Sequence, residues 1–203
     1  MQRPTRPEGD QVLVQIMDAA LDDATRRSGS WLVCRPGCTQ CCIGVFPISL
    51  LDAARLQAGL EELQRSDLER ARAIRRRALA AIDRLSASFP GNAKTGILGE
   101  DEGAQADFED FANEEPCPVL DPETGTCDLY QHRPITCRAF GPPVRSADGL
   151  GVCELCYHGA SDVEIEACEM EVDPDHLEAK LLKEMQDGEH FAARTIVAFA
   201  VSD

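Results

Sequence analysis

Cys34-Arg-Pro-Gly-Cys38-Thr-Gln-Cys41-Cys42 is the stretch on which the reading of this chain turns. Four thiols fall in nine residues, around a Pro36-Gly37 pair and without helical periodicity. The segment therefore reads as a tight loop, with Gly37 supplying backbone freedom. Three further cysteines, Cys117, Cys127 and Cys137, follow at intervals of ten. Thiolates are soft ligands that select zinc, iron–sulfur clusters or copper(I) over magnesium and calcium. Several deprotonated sulfurs repel one another unless a cation compensates them. The spacing suits chelation and fits disulfide bonding poorly.

Within the block, Cys38-x2-Cys41 brings two thiolates to one ion. Cys42 does not easily follow on the same side as Cys41. One of the pair ligates while the other packs, faces a second ion or waits as a redox group. Closing the shell from Cys117 requires a return across 75 residues. That closure is costly unless the metal contributes folding energy.

Outward from the block, the helical signals accumulate. Asp10 is placed to cap a helix reaching about Arg27, with Val12, Ile16, Ala19 and Ala20 near one stripe. Trp31-Leu32-Val33 is an apolar entry that anchors the loop. Ser49, with Asp52 three residues on, opens a helix to about Leu63. Asp67 starts an Arg-rich helix to about Ser86, its buried face drawn from Leu68, Ile74, Leu79, Ile82 and Leu85. Asp121-Pro-Glu-Thr-Gly125, between Val119-Leu120 and Thr126-Cys127, predicts a small hairpin. Leu129 to His132 makes one helical turn, stopped by Pro134. Asp173-Pro174 starts a helix to about Gln186, and a terminal helix or strand runs from Glu189 to Val201.

The expectation is a mainly α, small helical domain with a loop-built cysteine metal site and one short β-hairpin. Residues 1–9 read as a disordered N-terminus and 10–203 as a single cysteine-cluster domain. Within it lie an acidic loop at 88–114 and a C-terminal helical part at 174–201.

Composition narrows the function. The 203 residues are 43% hydrophobic but only 5% aromatic, so a core of Leu, Ile, Val and Ala forms without crosslinks. A net charge of -16 repels a phosphate backbone, so no nucleic acid partner is expected. No apolar run is long enough to span a membrane, and the N-terminus lacks the apolar stretch of a secretory signal. A cytoplasmic, reducing location follows, where close cysteines bind metal or do redox chemistry. Between Lys94 and Arg133 there is no Lys or Arg, yet eleven Asp or Glu. The helix between Arg65 and Arg84 carries seven arginines. These two regions pair in the fold, or the arginine helix docks a protein partner.

The full pattern is Cys34-x3-Cys38-x2-Cys41-Cys42, then Cys117-Pro-Val-Leu-Asp, then Gly125-x-Cys127-x2-Tyr130-x2-Arg133-Pro134-x2-Cys137-Arg138-x-Phe140. It resembles the YkgJ-type cysteine-cluster family, whose CxxCxxCC members are described as zinc- or iron-chelating. The resemblance spans roughly residues 31–141. It implies that Cys38, Cys41, Cys42, Cys117, Cys127 and Cys137 are metal ligands. Cys34 joins them provisionally, because three residues rather than two separate it from Cys38. The flagellin lysine N-methylases resemble the same family and share its cysteine block, with an iron–sulfur cluster implied. No cosubstrate-binding signature supports methyl transfer here.

Beyond that signature, Cys153, Cys156 and Cys168 add ligands to the same site, build a second one, or are thiols close by chance. His158 reads as solvent-facing. Arg133 and Arg138 either compensate sulfur charge or make structural ion pairs. Tyr130 donates its hydroxyl near the site or simply packs. The leading expectation is a metal-binding protein with an iron–sulfur cluster or Zn2+ in a structural, redox or electron-transfer role. The alternatives are a small metal-dependent enzyme, a transferase or oxidoreductase with a pocket beside the metal, and a zinc-stabilised interaction module.

Overall fold

The computed structural model describes residues 6–146, 149–185 and 193–202. Helix α1 spans Asp10–Ser28, followed by 3-10 turns at Gly29–Trp31 and Gln40–Cys42. Strand β1 (Ile48–Ser49) leads straight into α2 (Leu50–Ser66), and α3 (Leu68–Leu85) follows after one residue. Strands β2 (Gly91–Asn92) and β3 (Ile97–Leu98) pair ahead of α4 (Glu102–Glu109). Strands β4 (Leu120–Asp121) and β5 (Thr126–Cys127) pair next, and a 3-10 turn at Tyr130–His132 precedes α5 (Ile135–Ala139). Strands β6 (Val144–Ser146) and β7 (Gly149–Gly151), helices α6 (Asp162–Glu166) and α7 (Leu177–Met185), strand β8 (Arg194–Thr195) and helix α8 (Val197–Ala200) complete the described chain. Among the described residues the fold is mainly α, with four two-stranded antiparallel sheets.

Helix starts follow local chemistry. The Ser49 hydroxyl accepts from the Asp52 N–H at 3.1 Å, and the Asp67 carboxylate accepts from the Arg70 N–H at 3.1 Å. Each satisfies an otherwise orphaned amide at the helix N-terminus. Gly9, rather than Asp10, precedes α1, and Asp10 is buried in its first turn. The expected α1 stripe is also displaced: Leu13, Met17 and Ala24 are buried, whereas Val12 is half exposed. The segment expected as an acidic loop at 88–114 holds the β2–β3 hairpin and α4, whose Asp101 cap accepts from the Ala104 N–H at 3.0 Å. Asp101 thus serves there as a short-range helix cap. The expected disorder of 1–9 falls in part on 1–5, and the Gly188 break and the start of the terminal element fall within 186–192. These lie outside the described residues.

Two compact units divide the chain. The first is built on Gly37–Pro134 together with β8 and α8; the second is built on Pro7–Pro36 and Ile135–Leu181.

In the first unit α2, α3 and α8 pack on one another. The face of α3 toward them is Ala71, Ile74, Ala78 and Ala81, a 3–4 repeat of mostly small side chains that lets the helices approach closely. Leu68 and Leu79, expected on that face, are exposed at 42% and 55%. Val119 and Leu129 belong to the same core as Ile48, Leu56, Leu60 and Ile74. Because each lies two residues after a cysteine, their burial draws Cys117 and Cys127 against the core. A second cluster surrounds Phe89, whose ring meets Phe111 and Phe199 edge-on at 5.9 and 5.0 Å. Strand β8 pairs with β1, Ile48 facing Thr195. Asp52 and Arg55 form an ion pair inside α2, both essentially inaccessible to solvent.

In the second unit α5 packs on α1, with Arg138 buried and paired to Asp18. Gly9 lies under Leu181, where a Cβ would come within 2.6 Å of a Leu181 methyl. Ser161 and Glu164 form a capping box on α6. Asp173 accepts from the Leu177 and Glu178 N–H groups at 2.8 and 2.9 Å, so α7 starts later than the Asp173-Pro174 pair suggests. Among the described residues no helix is long and apolar enough to cross a membrane.

Candidate metal centre

The unit boundary divides the ten cysteines. Cys38, Cys41, Cys42, Cys117 and Cys127 lie in the first unit; Cys34, Cys137, Cys153, Cys156 and Cys168 lie in the second.

In the first unit, Pro36-Gly37 makes the expected turn, with Gly37 at φ +89°. The 3-10 turn at Gln40–Cys42 then presents Cys41 and Cys42. A short ladder joins this loop to the second cysteine segment. The Cys117 N–H donates to the Cys42 carbonyl at 2.8 Å, the Gly44 N–H to the Glu115 carbonyl at 3.0 Å, and the Val45 N–H to the Ala112 carbonyl at 3.2 Å. Ile43 faces Pro116 across this ladder. Gly44 is required: its φ is +90°, and a Cβ would sit 3.1 Å from the Asn113 oxygen. The turn of the β4–β5 hairpin lies against the same loop, with Gly125 approaching Gly37 and Thr39.

The result is a neighbourhood of four thiols. The Cys41 and Cys42 sulfurs lie within hydrogen-bonding reach of each other. Adjacent residues thus present their sulfurs together, against the expectation that Cys42 turns away; the tight 3-10 turn makes this possible. The hydrogen bond between these sulfurs, helped by the backbone N–H of Cys41 and by the Arg133 guanidinium, lowers the Cys41 thiol to about 6 despite burial. The same bond, burial and the sulfurs of Cys41, Cys117 and Cys127 raise Cys42. Burial pushes Cys117 up to about 12, opposed by hydrogen bonds from the Val119 and Leu120 backbone. Burial also raises Cys127, opposed by the Leu129 backbone and by Arg133. Cys38 sits in the loop beside the hairpin turn.

Backbone N–H groups aimed at sulfur, and a cation close by, stabilise thiolate and so suit a thiophilic metal. The donor set therefore fits zinc or an iron–sulfur cluster. Among the described residues, no three Cys, His, Asp or Glu side chains enclose a common point as they stand. The Cys41, Cys42, Cys117 and Cys127 sulfurs lie near enough to one another to interact electrostatically.

Arg133 is largely buried, its guanidinium 3.9 Å above the Tyr130 ring and its Nη1 donating to the Tyr130 carbonyl at 3.3 Å. Tyr130 is 56% exposed and serves as the platform for that cation. Arg138 belongs to the second unit and pairs with Asp18 on α1. His132 meets Glu62 at 3.2 Å, and His158 is exposed as expected.

In the second unit Cys156, Tyr157 and Cys168 form a buried cluster, with Cys153, Trp31, Leu32 and Ile165 packed on it. The Cys156 N–H donates to the Cys153 carbonyl at 2.9 Å, and the Tyr157 N–H to the Trp31 carbonyl at 2.9 Å. Tyr157 takes a left-handed conformation, φ +59°, and its hydroxyl meets Ser28 Oγ at 2.5 Å. Cys34 is exposed, its sulfur close to Gly141, where a Cβ would lie 3.1 Å away. Cys137 sits on α5.

The expected pairing of the arginine helix with the acidic interval is present behind the hairpin, although the individual partners were not assigned from the sequence. Asp128, adjacent to Cys127, has a side chain only 1% exposed, held by Arg70 at 2.5 Å and Arg77 at 2.7 Å. Arg84 pairs with Glu115. The signal was present: Arg70, Arg77 and Arg84 recur every seven residues, two helical turns apart, and so share one face of α3.

The CxxCxxCC family, described as "putative zinc- or iron-chelating domain", matches residues 33–157. The chain belongs to this family. The family description agrees with the zinc or iron that the thiol set calls for. No curated protein and no solved structure matches the chain.

Proposed function

We propose that this member of the CxxCxxCC family holds its metal through Cys41, Cys42, Cys117 and Cys127, as a structural or electron-transfer centre. The observation that carries the reading is the joining of the two cysteine segments, Cys117 N–H to Cys42 carbonyl, with hairpin N–H groups directed at the Cys117 and Cys127 sulfurs. Arg133 offsets negative charge beside Cys41 and Cys127. Of the two occupants, an iron–sulfur cluster is favoured, because neighbouring Cys41 and Cys42 present both sulfurs together and a cluster offers them separate iron atoms. Such a centre needs reduced thiols, which supports a cytoplasmic location.

Anaerobic purification followed by iron, labile sulfide and zinc analysis tests this reading. Iron with sulfide and a broad visible charge-transfer band is the expected result. A colourless protein with stoichiometric zinc keeps the thiolate centre and replaces its occupant. Cys41→Ser, Cys117→Ser and Cys127→Ser should each lose metal. Full metal content in all three would overturn the assignment.

The enzyme reading lacks an observation in its favour. A cavity of about 220 Å³ is lined by Pro47, Pro90, Leu98, Gln105, Phe108 and Arg194 among others, and no cysteine lines it. A partner for the arginine helix is no better supported, since Arg70, Arg77 and Arg84 hold Asp128 and Glu115.

A further inference from the structure

We infer that Arg77, aided by Arg70, is a positioning residue for the thiolate centre, acting on the residue that follows each of two cysteines. The inference rests on the Cys41, Cys42, Cys117 and Cys127 reading above.

The guanidinium of Arg77 makes two bonds. Its Nε donates to the Pro118 carbonyl at 2.7 Å, and its Nη2 donates to the Asp128 carboxylate at 2.7 Å. Pro118 follows Cys117 and Asp128 follows Cys127. One side chain thereby clamps equivalent positions on both arms of the β4–β5 hairpin. The Asp128 N–H also donates to the Val119 carbonyl at 2.9 Å, tying the arms together at the same level. Arg70 takes the second carboxylate oxygen of Asp128 at 2.5 Å.

The Pro118 carbonyl and the Val119 N–H belong to one planar peptide unit. Fixing the oxygen fixes the direction of the N–H, which hydrogen-bonds the Cys117 sulfur. Donation to the oxygen also polarises the peptide and strengthens its N–H as a donor. On the other arm, anchoring Asp128 holds the peptide that carries the Leu129 N–H against the Cys127 sulfur. Arginine suits this task and lysine does not, because only the planar fork reaches two acceptors in fixed directions.

The test uses the full chain, stripped with chelator under reducing anaerobic conditions and titrated with Co2+ alone. The sulfur-to-cobalt charge-transfer band reports both affinity and the electronic state of the thiolates. Arg77→Ala should weaken cobalt binding by about 10- to 100-fold. At saturation its charge-transfer band should move to lower energy, because a sulfur that has lost N–H donors gives up electrons more readily. Arg77→Lys should fail to restore either property, and Asp128→Asn should behave like Arg77→Ala. Arg72→Ala, which removes only a pair with Glu69 on the same helix, should match the parent chain.

A merely structural role would lower stability without moving the band at saturation. Parent-like affinity and band in both Arg77→Ala and Asp128→Asn would overturn the inference while leaving the thiolate centre intact. If Arg77→Ala fails to fold, Asp128→Asn, nearly identical in shape, decides by the same readout. A parent chain that develops no charge-transfer band overturns the thiolate reading itself, and this inference with it.

Discussion

The N–H of Cys117 donates to the carbonyl of Cys42 across 2.8 Å, though 75 residues separate them in sequence. This bond makes two distant cysteine segments neighbours, and the next rung of the same ladder depends on Gly44. Gly44→Ala places a Cβ 3.1 Å from the Asn113 oxygen in a backbone with φ +90°. The expected cost is about 1–3 kcal/mol, read as a lowered urea midpoint, with weaker metal retention against chelator. An unchanged midpoint would show that the loop relaxes freely and does not set the spacing of the two segments.

Metal uptake should release protons in a pH-dependent number. Cys42, Cys117 and Cys127 are all raised and enter neutral solution protonated, whereas Cys41 at about 6 is already mostly thiolate. Adding zinc to chelator-treated protein near pH 8 should therefore liberate about three protons, rising towards four once the pH falls below the Cys41 value. The sign follows: bound metal competes with those protons, so affinity declines as the solution is acidified. Dye-monitored proton release in weak buffer gives the count. Release of four at pH 8 would show that Cys41 is not the preformed thiolate.

The buried Asp52–Arg55 pair should behave asymmetrically. Removing one partner leaves the other's buried charge under-compensated, so Arg55→Ala or Asp52→Ala should cost about 3–5 kcal/mol in urea unfolding. The double replacement by apolar residues of similar size should recover much of that loss. Equal costs for the single and double variants would indicate that the pair is not mutually dependent.

Tyr157 provides an alkaline signature. Burial holds its phenol above the ordinary value, Ser28 opposes the rise, and Cys168 and Cys156 add to it. Because the folded value exceeds the unfolded one, the associated stability is complete below about pH 10 and is lost as the pH climbs through the folded value. Urea midpoints measured across that window should fall faster in the parent chain than in Tyr157→Phe. At neutral pH the variant should lose about 0.5–1.5 kcal/mol with the Ser28 hydrogen bond. Parallel alkaline slopes would show that Tyr157 titrates as an exposed phenol.

Local chemistry was readable wherever one residue decides one turn. Ser49, Asp67, the Asp121-to-Gly125 turn and the Pro134 stop all act within a few positions, and the elements follow them closely. Stripes were harder. In α1, Val12 and Ile16 share the 3.6-residue period with Leu13 and Met17, and only packing decides which pair is buried. In α3 large leucines drew the expected face, but close helix contact selects Ala71, Ala78 and Ala81. Spacing and the family resemblance marked the cysteines as candidate ligands. Their division between two units was not legible, because it depends on how far the loops after Pro36 and Pro134 carry the chain, which no spacing encodes. The pairing of β1 with β8 has the same origin: two-residue strands carry almost no pattern, and their partners lie at opposite ends of the sequence.

That β1–β8 pairing has a consequence for biosynthesis. Cys41 and Cys42 leave the ribosome long before their neighbours; at roughly 5–20 residues per second, the 75 residues to Cys117 take about 4–15 s. Even then the first unit awaits Arg194 and Thr195 to cover β1. The early thiols thus spend most of translation unpartnered in the nascent chain, exposed to oxidation and to whatever loose metal is at hand. Loading of a fully folded first unit is therefore late, after β8 has emerged, and its fidelity depends on the redox state and metal supply of the cell at that moment.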